Sequence, residues 1–514
     1  MTTVETAPAR ESTARPGAWW DAAAGVVSLG AGLAAAEAVG LVTGRGSTPV
    51  VAVSDGVVDL TPPWAKDAVI SLFGTGDKLF LFTVVGLVAL ALGAAAGVLE
   101  RRRPPLGAVL TAALAVVVMV AAATRPDAGL LGVVPGAVAF LVGVGVLRLL
   151  LRRLAASGAG LRRRTVLLGG TGAAALAVGL GARALGRVGA SGGAASRAAV
   201  ALPAAAEQAP RVGAGATFDD VPGLEPFRTP NPDFYRIDTA LVVPRLAAAD
   251  WRLRVVGLVE QEVELTWDEL LERRLVEKWA TLSCVSNPVG GELVGNALWL
   301  GLPTRELLAE ARPLPEADMV LSRSSDGFTA GTPVEAMTDD RGSLLAIGMN
   351  GEPLPLEHGF PARLVVPGLY GYVSATKWVT ELRLTRFDTD QGYWTPRGWS
   401  AMGPVKISSR IDRPGGGSVE AGTVVVAGLA WAMDVGVGAV EVQVDDGDWQ
   451  EAELSDAGTS STWRQWRWEW QAEPGPHVVR VRAVDANGQV QLAEPAPPAP
   501  DGAQGYDEVE VTVT

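Results

Sequence analysis

The sequence predicts three parts in order: an α-helical membrane unit of five spans, a water-soluble α+β domain and an all-β C-terminal domain. Three observations carry this. Apolar runs long enough to cross a bilayer are confined to the first third of the 514 residues. The middle mixes strand-like alternation with capped helical stretches, and the last part is a series of short β-rich runs separated by turn signals. The boundaries read as 1–190 for the membrane anchor, 191–225 for a flexible linker, 226–398 for the α+β domain and 399–514 for the β domain.

Four segments, about Ala18 to Val42, Leu79 to Leu99, Leu106 to Ala123 and Gly129 to Leu151, are close to the ~20 apolar residues that a spanning helix needs. A fifth, Thr165 to Gly181, is shorter but carries no charge between Arg164 and Arg183. Arg101, Arg102 and Arg103 lie between spans two and three, and Arg148, Arg152, Arg153, Arg162, Arg163 and Arg164 surround the junction of spans four and five. Basic loops stay on the cytoplasmic side. The expectation is a multi-pass cell-membrane protein with its N-terminus in the cytoplasm and everything after Gly181 extracytoplasmic. Arg162-Arg-Arg-Thr-Val-Leu-Leu-Gly-Gly170 also resembles a twin-arginine export signal, and an ordinary basic anchor gives the same topology. Glu37 is the one acid well inside a span, and Pro62 to Phe73 is expected as a short interfacial helix.

Beyond residue 190 there are 26 Lys and Arg against 46 Asp and Glu. Nucleic acid is excluded as a partner, because phosphate binding needs a basic surface. The acidic surface suits an exported domain that meets a basic electron-transfer partner. Residues 191–225, rich in Ala, Gly, Pro and Ser, read as a tether.

Within the α+β domain, Trp251 to Gly257 and Glu262 to Leu265 alternate as strands do. Thr266 followed by Glu269 is a capping-box signal for a helix over Thr266–Arg274, and Pro303 to Ala311 is a second helix. In the β domain, Gly422–Ala430, Ala439–Val444, Trp463–Trp470 and His477–Val484 are separated by turns such as Asp445-Asp-Gly447 and Asn487-Gly488. This spacing fits a β-sandwich of immunoglobulin type without its disulfide. Trp463, Trp466, Trp468 and Trp470 are expected in core and interface packing.

Cys284 is the sole cysteine, so packing, a reactive thiol and metal ligation are its open uses. The two histidines, His358 and His477, both lie outside the membrane part. A bilayer haem held by paired histidines is therefore excluded, and neither a haem attachment motif nor the cysteines for an iron–sulfur cluster are present.

Asp233-Phe-Tyr-Arg-Ile-Asp238, Thr281-Leu-Ser-Cys-Val-Ser-Asn287, Met349-Asn-Gly-Glu-Pro-Leu354, His358-Gly-Phe-Pro-Ala-Arg-Leu-Val-Val-Pro-Gly368 and Lys377-Trp378 follow in an order that resembles the sulfite oxidase family of molybdopterin enzymes. The sandwich is similar to that family's dimerisation domain, so the resemblance covers about Pro226 to Thr514 and leaves the membrane part outside. It implies a sulfite-oxidase-like molybdopterin-binding fold, one molybdenum–molybdopterin cofactor, and Cys284 as the thiolate ligand of the metal. Arg363 and Lys377 match positions that supply cations to the cofactor. Asn231, Phe234, Tyr235, Arg236 and His358 fall where family members contact the pterin. Asn287 completes the Cys-x-x-Asn segment, and Ser374 and Thr376 neighbour Lys377. Tyr393 matches an active-site tyrosine that donates a hydrogen bond or moves a proton.

Sulfite-oxidising members carry arginines after this segment, where the present chain has Pro288, Val289, Gly290 and Gly291. Arg323 and Arg397 are candidates to replace that charge, and Asp326 is a candidate neighbour of the site. The resemblance implies two-electron oxo transfer on a small molecule at the outer membrane face, with electrons exchanged through a separate carrier, no haem or iron–sulfur cluster, and a homodimer through the sandwich. A reductase of sulfoxide-type substrates would share the cofactor site. A non-enzymatic adhesion or receptor module would leave Cys284 and the Arg363/Lys377 motif unexplained.

Overall fold

Long runs of Ala, Val, Leu and Gly bring no polar side chains to satisfy the backbone, so these segments fold into helices that satisfy it internally. The computed structural model describes residues 17–43, 49–62, 69, 72, 77–123, 130–156, 161–213, 215–240 and 242–514. It divides into two units, Met1–Ala190 and Ser191–Thr514. The long helices are α1 (Ala18–Thr43), α2 (Pro49–Leu60), α3 (Asp77–Arg102), α4 (Leu106–Ala123), α5 (Val134–Ala156) and α6 (Leu161–Ala199). Five stretches within them, Ala18–Gly40, Leu79–Arg102, Leu106–Ala123, Leu131–Ala155 and Arg162–Ala182, are long and apolar enough to cross a membrane.

Inside the first unit, α1 and α3 meet backbone to backbone. A Cβ on Gly25 would lie 2.0 Å from Gly93 O, and one on Gly97 would lie 1.9 Å from Asp21 O. Small residues allow this close backbone approach. Glu37 accepts a hydrogen bond from Val50 N at 3.1 Å, satisfying one of the unpaired donors at the start of α2. Apart from Pro62, Val69 and Leu72, the interfacial helix expected over Pro62–Phe73 lies outside the described residues.

The second unit begins with the α+β region. Its strands are β1 (Arg252–Gly257), β2 (Val263–Thr266), β3 (Val276–Ser283), β4 (Val294–Pro303), β5 (Met319–Ser324), β6 (Thr329–Pro333), β7 (Leu344–Met349), β8 (Glu352–Pro353), β9 (Arg363–Val365) and β10 (Val379–Thr385). One sheet has the order β2-β1-β10-β5-β6, with β1 parallel to β10, and the other is β3-β4-β7-β8 with β9 on β7. Both contribute to one core that includes Trp251, Leu253, Trp299, Leu345, Phe360 and Leu382. The Thr266/Glu269 capping box forms in both directions, and the helix it starts, Trp267–Leu271, is shorter than expected.

The C-terminal region is mostly β. Its strands are β11 (Ser408–Arg413), β12 (Gly417–Val419), β13 (Gly422–Trp431), β14 (Val437–Val444), β15 (Gln450–Glu451), β16 (Glu453–Leu454), β17 (Arg464–Ala472), β18 (Gly475–Asp485) and β19 (Asp507–Val513). Sheets β11-β13-β17-β16 and β12-β19-β18-β14-β15 enclose a core containing Val426, Trp466, Trp470, Val440, Val481 and Val511. Trp463 is fully buried at the junction with the α+β region, beside Phe227, Val294, Leu429 and Trp431.

Residues 191–225 do not form the free tether that their composition suggests. After α6 ends at Ala199, Ala206 N donates to Leu275 O (2.8 Å), Glu277 N donates to Glu207 O (2.8 Å), and Phe218 N donates to Gln465 Oε1 (3.1 Å). Small residues leave the backbone accessible, and the open edge of β3 takes it up.

Candidate active site

The end of β3 places Cys284 at the mouth of a closed loop. Cys284 N donates to Leu293 O (2.9 Å) and Asn287 N donates to Cys284 O (3.1 Å). The Asn287 side chain completes the closure by accepting from Leu293 N at 2.8 Å. Asn287 thus shapes the loop that presents the thiol. Cys284 is 8% exposed, and burial raises its thiol above the ordinary value, against hydrogen bonds from Ser286. A metal would reverse that preference, because coordination holds the sulfur as thiolate and releases the proton.

Tyr235 is a titratable neighbour of Cys284, and Arg363 is a charged neighbour of Tyr235. Burial pushes the Tyr235 phenol up, Cys284 pushes it further and Arg363 pulls it down. A Cβ on Gly371 would lie 3.8 Å from both Tyr235 Oη and Ser283 O. Arg363 is 5% exposed and its guanidinium sits over the Trp299 ring, 5.1 Å from the centroid. It donates to His358 O (3.1 Å), Leu364 O (3.4 Å) and Ala375 O (3.4 Å). Among the described residues no carboxylate pairs with it, and burial lowers it to about 10. A buried guanidinium held only by carbonyl oxygens is expensive, and an anionic ligand removes the cost. A soft sulfur and such a cation, both acting on Tyr235, fit an anionic, sulfur-rich cofactor.

Phe234 and His358 flank this pair. Phe234 stacks on Tyr235 at 5.3 Å and meets His358 edge-on at 5.6 Å. His358 Nε2 lies 3.2 Å from Asn231 O, and burial, reinforced by Arg363 and Lys377, lowers the imidazole to about 4. A histidine depressed below its unfolded value of 6.5 contributes stability that is present above pH 6.5 and is lost as pH falls towards 4. His358→Gln should flatten the pH dependence of stability in that window by roughly 2–3 kcal/mol, read by chemical denaturation of cofactor-free protein at several pH values. An unchanged slope would show that His358 does not titrate this way.

The remaining candidates divide. Asn231 is committed to the turn after β7: its Nδ2 donates to Glu352 Oε1 (2.5 Å) and its Oδ1 accepts from Asn350 Nδ2 (2.8 Å). Lys377 Nζ donates to Asp238 Oδ2 at 2.8 Å, and Arg236 Nε donates to the same oxygen at 2.9 Å. Two cations on one carboxylate leave net positive charge for an anion, and burial lowers Lys377 to about 8 against the pull of Asp238. Ser374 donates to Tyr370 O (2.9 Å) and Thr376 Oγ1 lies 2.7 Å from Ser322 Oγ, so both hydroxyls shape the turn between Tyr370 and Lys377. Tyr393 groups with Phe328 (5.8 Å), Trp394 (5.1 Å) and the Arg397 guanidinium, 3.7 Å above its ring. Arg323 pairs with Glu381 at 3.9 Å, and Asp326 accepts from Phe328 N (3.3 Å) in a turn.

Two further residues approach the site. Tyr370 is 5% exposed and is pushed up to about 12, mainly by burial and in part by Cys284. It lies two residues past the motif ending at Gly368, and no spacing in the sequence marks it. Arg410, from the β region, donates to Gly291 O in the Cys284 loop at 3.1 Å. A contact between regions so distant in the chain leaves no local signature.

Residues 240–394 match the family model described as oxidoreductase molybdopterin binding domain. The chain is similar to mitochondrial sulfite oxidase of Mus musculus, 31% identical over 323 residues covering 53% of this chain and 59% of that protein. It is also similar to the uncharacterized oxidoreductase YuiH of Bacillus subtilis (strain 168), 32% identical over 153 residues covering 30% of this chain and 74% of that protein. Among solved structures, the sulfane dehydrogenase SoxCD from Paracoccus pantotrophus aligns with a TM-score of 0.48 at 25% identity, covering 55% of this chain and 81% of that chain. The chain spans 59% of the length of the mouse sulfite oxidase it matches.

Proposed function

From the premise that this chain belongs to the sulfite oxidase family of molybdopterin-binding oxidoreductases, and is an oxidoreductase, we propose an enzyme anchored by five membrane spans, its N-terminus cytoplasmic and its catalytic unit extracytoplasmic. One buried cation carries the reading: Arg363, which shares the neighbour Tyr235 with the buried Cys284 thiol and is held by carbonyl oxygens with no carboxylate pairing it among the described residues. Cys284 would be the single protein ligand to molybdenum. Arg363 would neutralise the cofactor's negative charge, and Arg236 and Lys377 would hold its phosphate, with Phe234, Tyr235 and His358 contacting the pterin. Asn231, Asn287, Ser374 and Thr376 would keep these groups in place through the bonds described above. When bound, the cofactor supplies two-electron oxo-transfer chemistry. Tyr393, braced by Arg397, would donate a hydrogen bond to the small-molecule substrate. Electrons would pass through a separate carrier, and the immunoglobulin-like sandwich would join two copies. Full-length protein from a molybdenum-replete host should contain about one molybdenum per chain by elemental analysis; metal-free protein from that host contradicts the proposal.

A sulfoxide-type reductase is the second reading, favoured by one observation. At Gly290, within the segment where sulfite-oxidising members carry arginines, Asp507 Oδ1 would lie 2.4 Å from an added Cβ. A carboxylate there disfavours a dianionic substrate. Dye-linked turnover of the purified enzyme with sulfite, sulfoxides and oxyanions separates the readings, since faster sulfite turnover would remove the second.

A further inference from the structure

The loop that carries Cys284 contains adjacent glycines, Gly290 and Gly291, and Gly290 has φ +70°. Glycine has more conformational freedom to lose than any other residue, so this loop, closed from within by Asn287, is held more firmly by any constraint from outside. The β region supplies that constraint on both sides. Before Cys284, Thr281 N donates to Ser461 O (2.9 Å) and Trp463 N donates to Thr281 Oγ1 (2.8 Å). After it, Arg410 Nη1 donates to Gly291 O (3.1 Å) while its Nε donates to Asp412 Oδ1 (2.6 Å). Both side chains of the Arg410–Asp412 pair are 9% exposed. Asp412 Oδ2 accepts in turn from Glu225 N (3.1 Å), and Asp507, which crowds Gly290, accepts from Ile411 N (2.8 Å).

We propose that Arg410 is a positioning residue of the redox site: its planar fork bridges Asp412 and the Gly291 carbonyl and so fixes the loop that aims Cys284. Its importance for catalysis rests on the reading of Cys284 as the metal ligand. The geometry also accounts for the departure from the family pattern after Asn287. The places occupied by Gly290 and Gly291 are approached by Asp507 and Arg410, and a side chain at Gly290 would collide with Asp507. The fork is specific to arginine, because one ammonium cannot present two parallel donors in fixed directions.

Cys284 is the only thiol in the chain, so alkylation of the cofactor-free full-length protein by a maleimide, followed as mass added per chain, reports this loop alone. Arg410→Ala should label roughly tenfold faster than wild type, the factor by which losing one charged hydrogen bond raises local opening. Arg410→Lys, which keeps the charge beside Asp412 but not the bridge, should also label faster, by at least about threefold. Asp434→Asn weakens the 3.4 Å Arg341–Asp434 ion pair elsewhere on the same junction and should leave labelling unchanged. Wild-type labelling in Arg410→Ala, rescue to the wild-type rate by Lys, or equal acceleration in Asp434→Asn would each overturn the bridging role. Should the Ala variant fail to fold, the Lys variant decides. Molybdenum content of the wild type reports separately on the cofactor reading, so the two failures are distinguishable.

Discussion

Arg363→Met lowers molybdenum occupancy at least about tenfold while leaving the stability of the cofactor-free protein nearly unchanged. The guanidinium is 5% exposed and no carboxylate among the described residues faces it. Removing a buried, uncompensated charge relieves about 1–4 kcal/mol, whereas leaving the carbonyls of His358, Leu364 and Ala375 without their donor costs a similar amount. These effects oppose each other in the cofactor-free chain. They do not oppose each other in cofactor binding, where the loss of a buried cation facing an anion costs about 2–5 kcal/mol. Elemental analysis of protein as purified, together with thermal unfolding of cofactor-free protein, checks both halves. Full occupancy would remove Arg363 from the cofactor site, and a large loss of stability would assign it to the fold instead.

Much of this was legible in the sequence for physical reasons. The long apolar helices stand out because long runs with few charged residues favour a backbone that satisfies itself, and the Thr266/Glu269 pair marks its helix because capping is local. The region around Cys284 was legible as an ordered set of motifs; in the fold Phe234 meets Tyr235 and His358, and Tyr235 feels both Cys284 and Arg363. What was not legible depends on tertiary contact. Asp238 takes up part of the charge of Lys377, a residue far away in the chain, as well as that of its near neighbour Arg236. The Ala- and Gly-rich stretch after residue 190 lacks a periodic pattern because it borrows its hydrogen bonds from Leu275, Glu277 and Gln465. Arg410 and Tyr370 act on the site from positions that no motif contains.

Cys284→Ser has the largest expected effect on turnover. The loop is closed by backbone bonds and by Asn287, none of which uses the sulfur, so the fold should persist. The cofactor should remain, held by Arg363, Lys377 and Arg236. A hard hydroxyl is a poor substitute for a soft thiolate on this metal. Dye-linked turnover should fall roughly a thousandfold, a rise of about 4 kcal/mol in the barrier.

The most direct test of the central claim, that Cys284 binds molybdenum, is X-ray absorption at the molybdenum edge on wild type and on Cys284→Ser loaded to equal metal content. The account predicts one fewer sulfur neighbour around the metal in the variant. The same sulfur count in both proteins would contradict it.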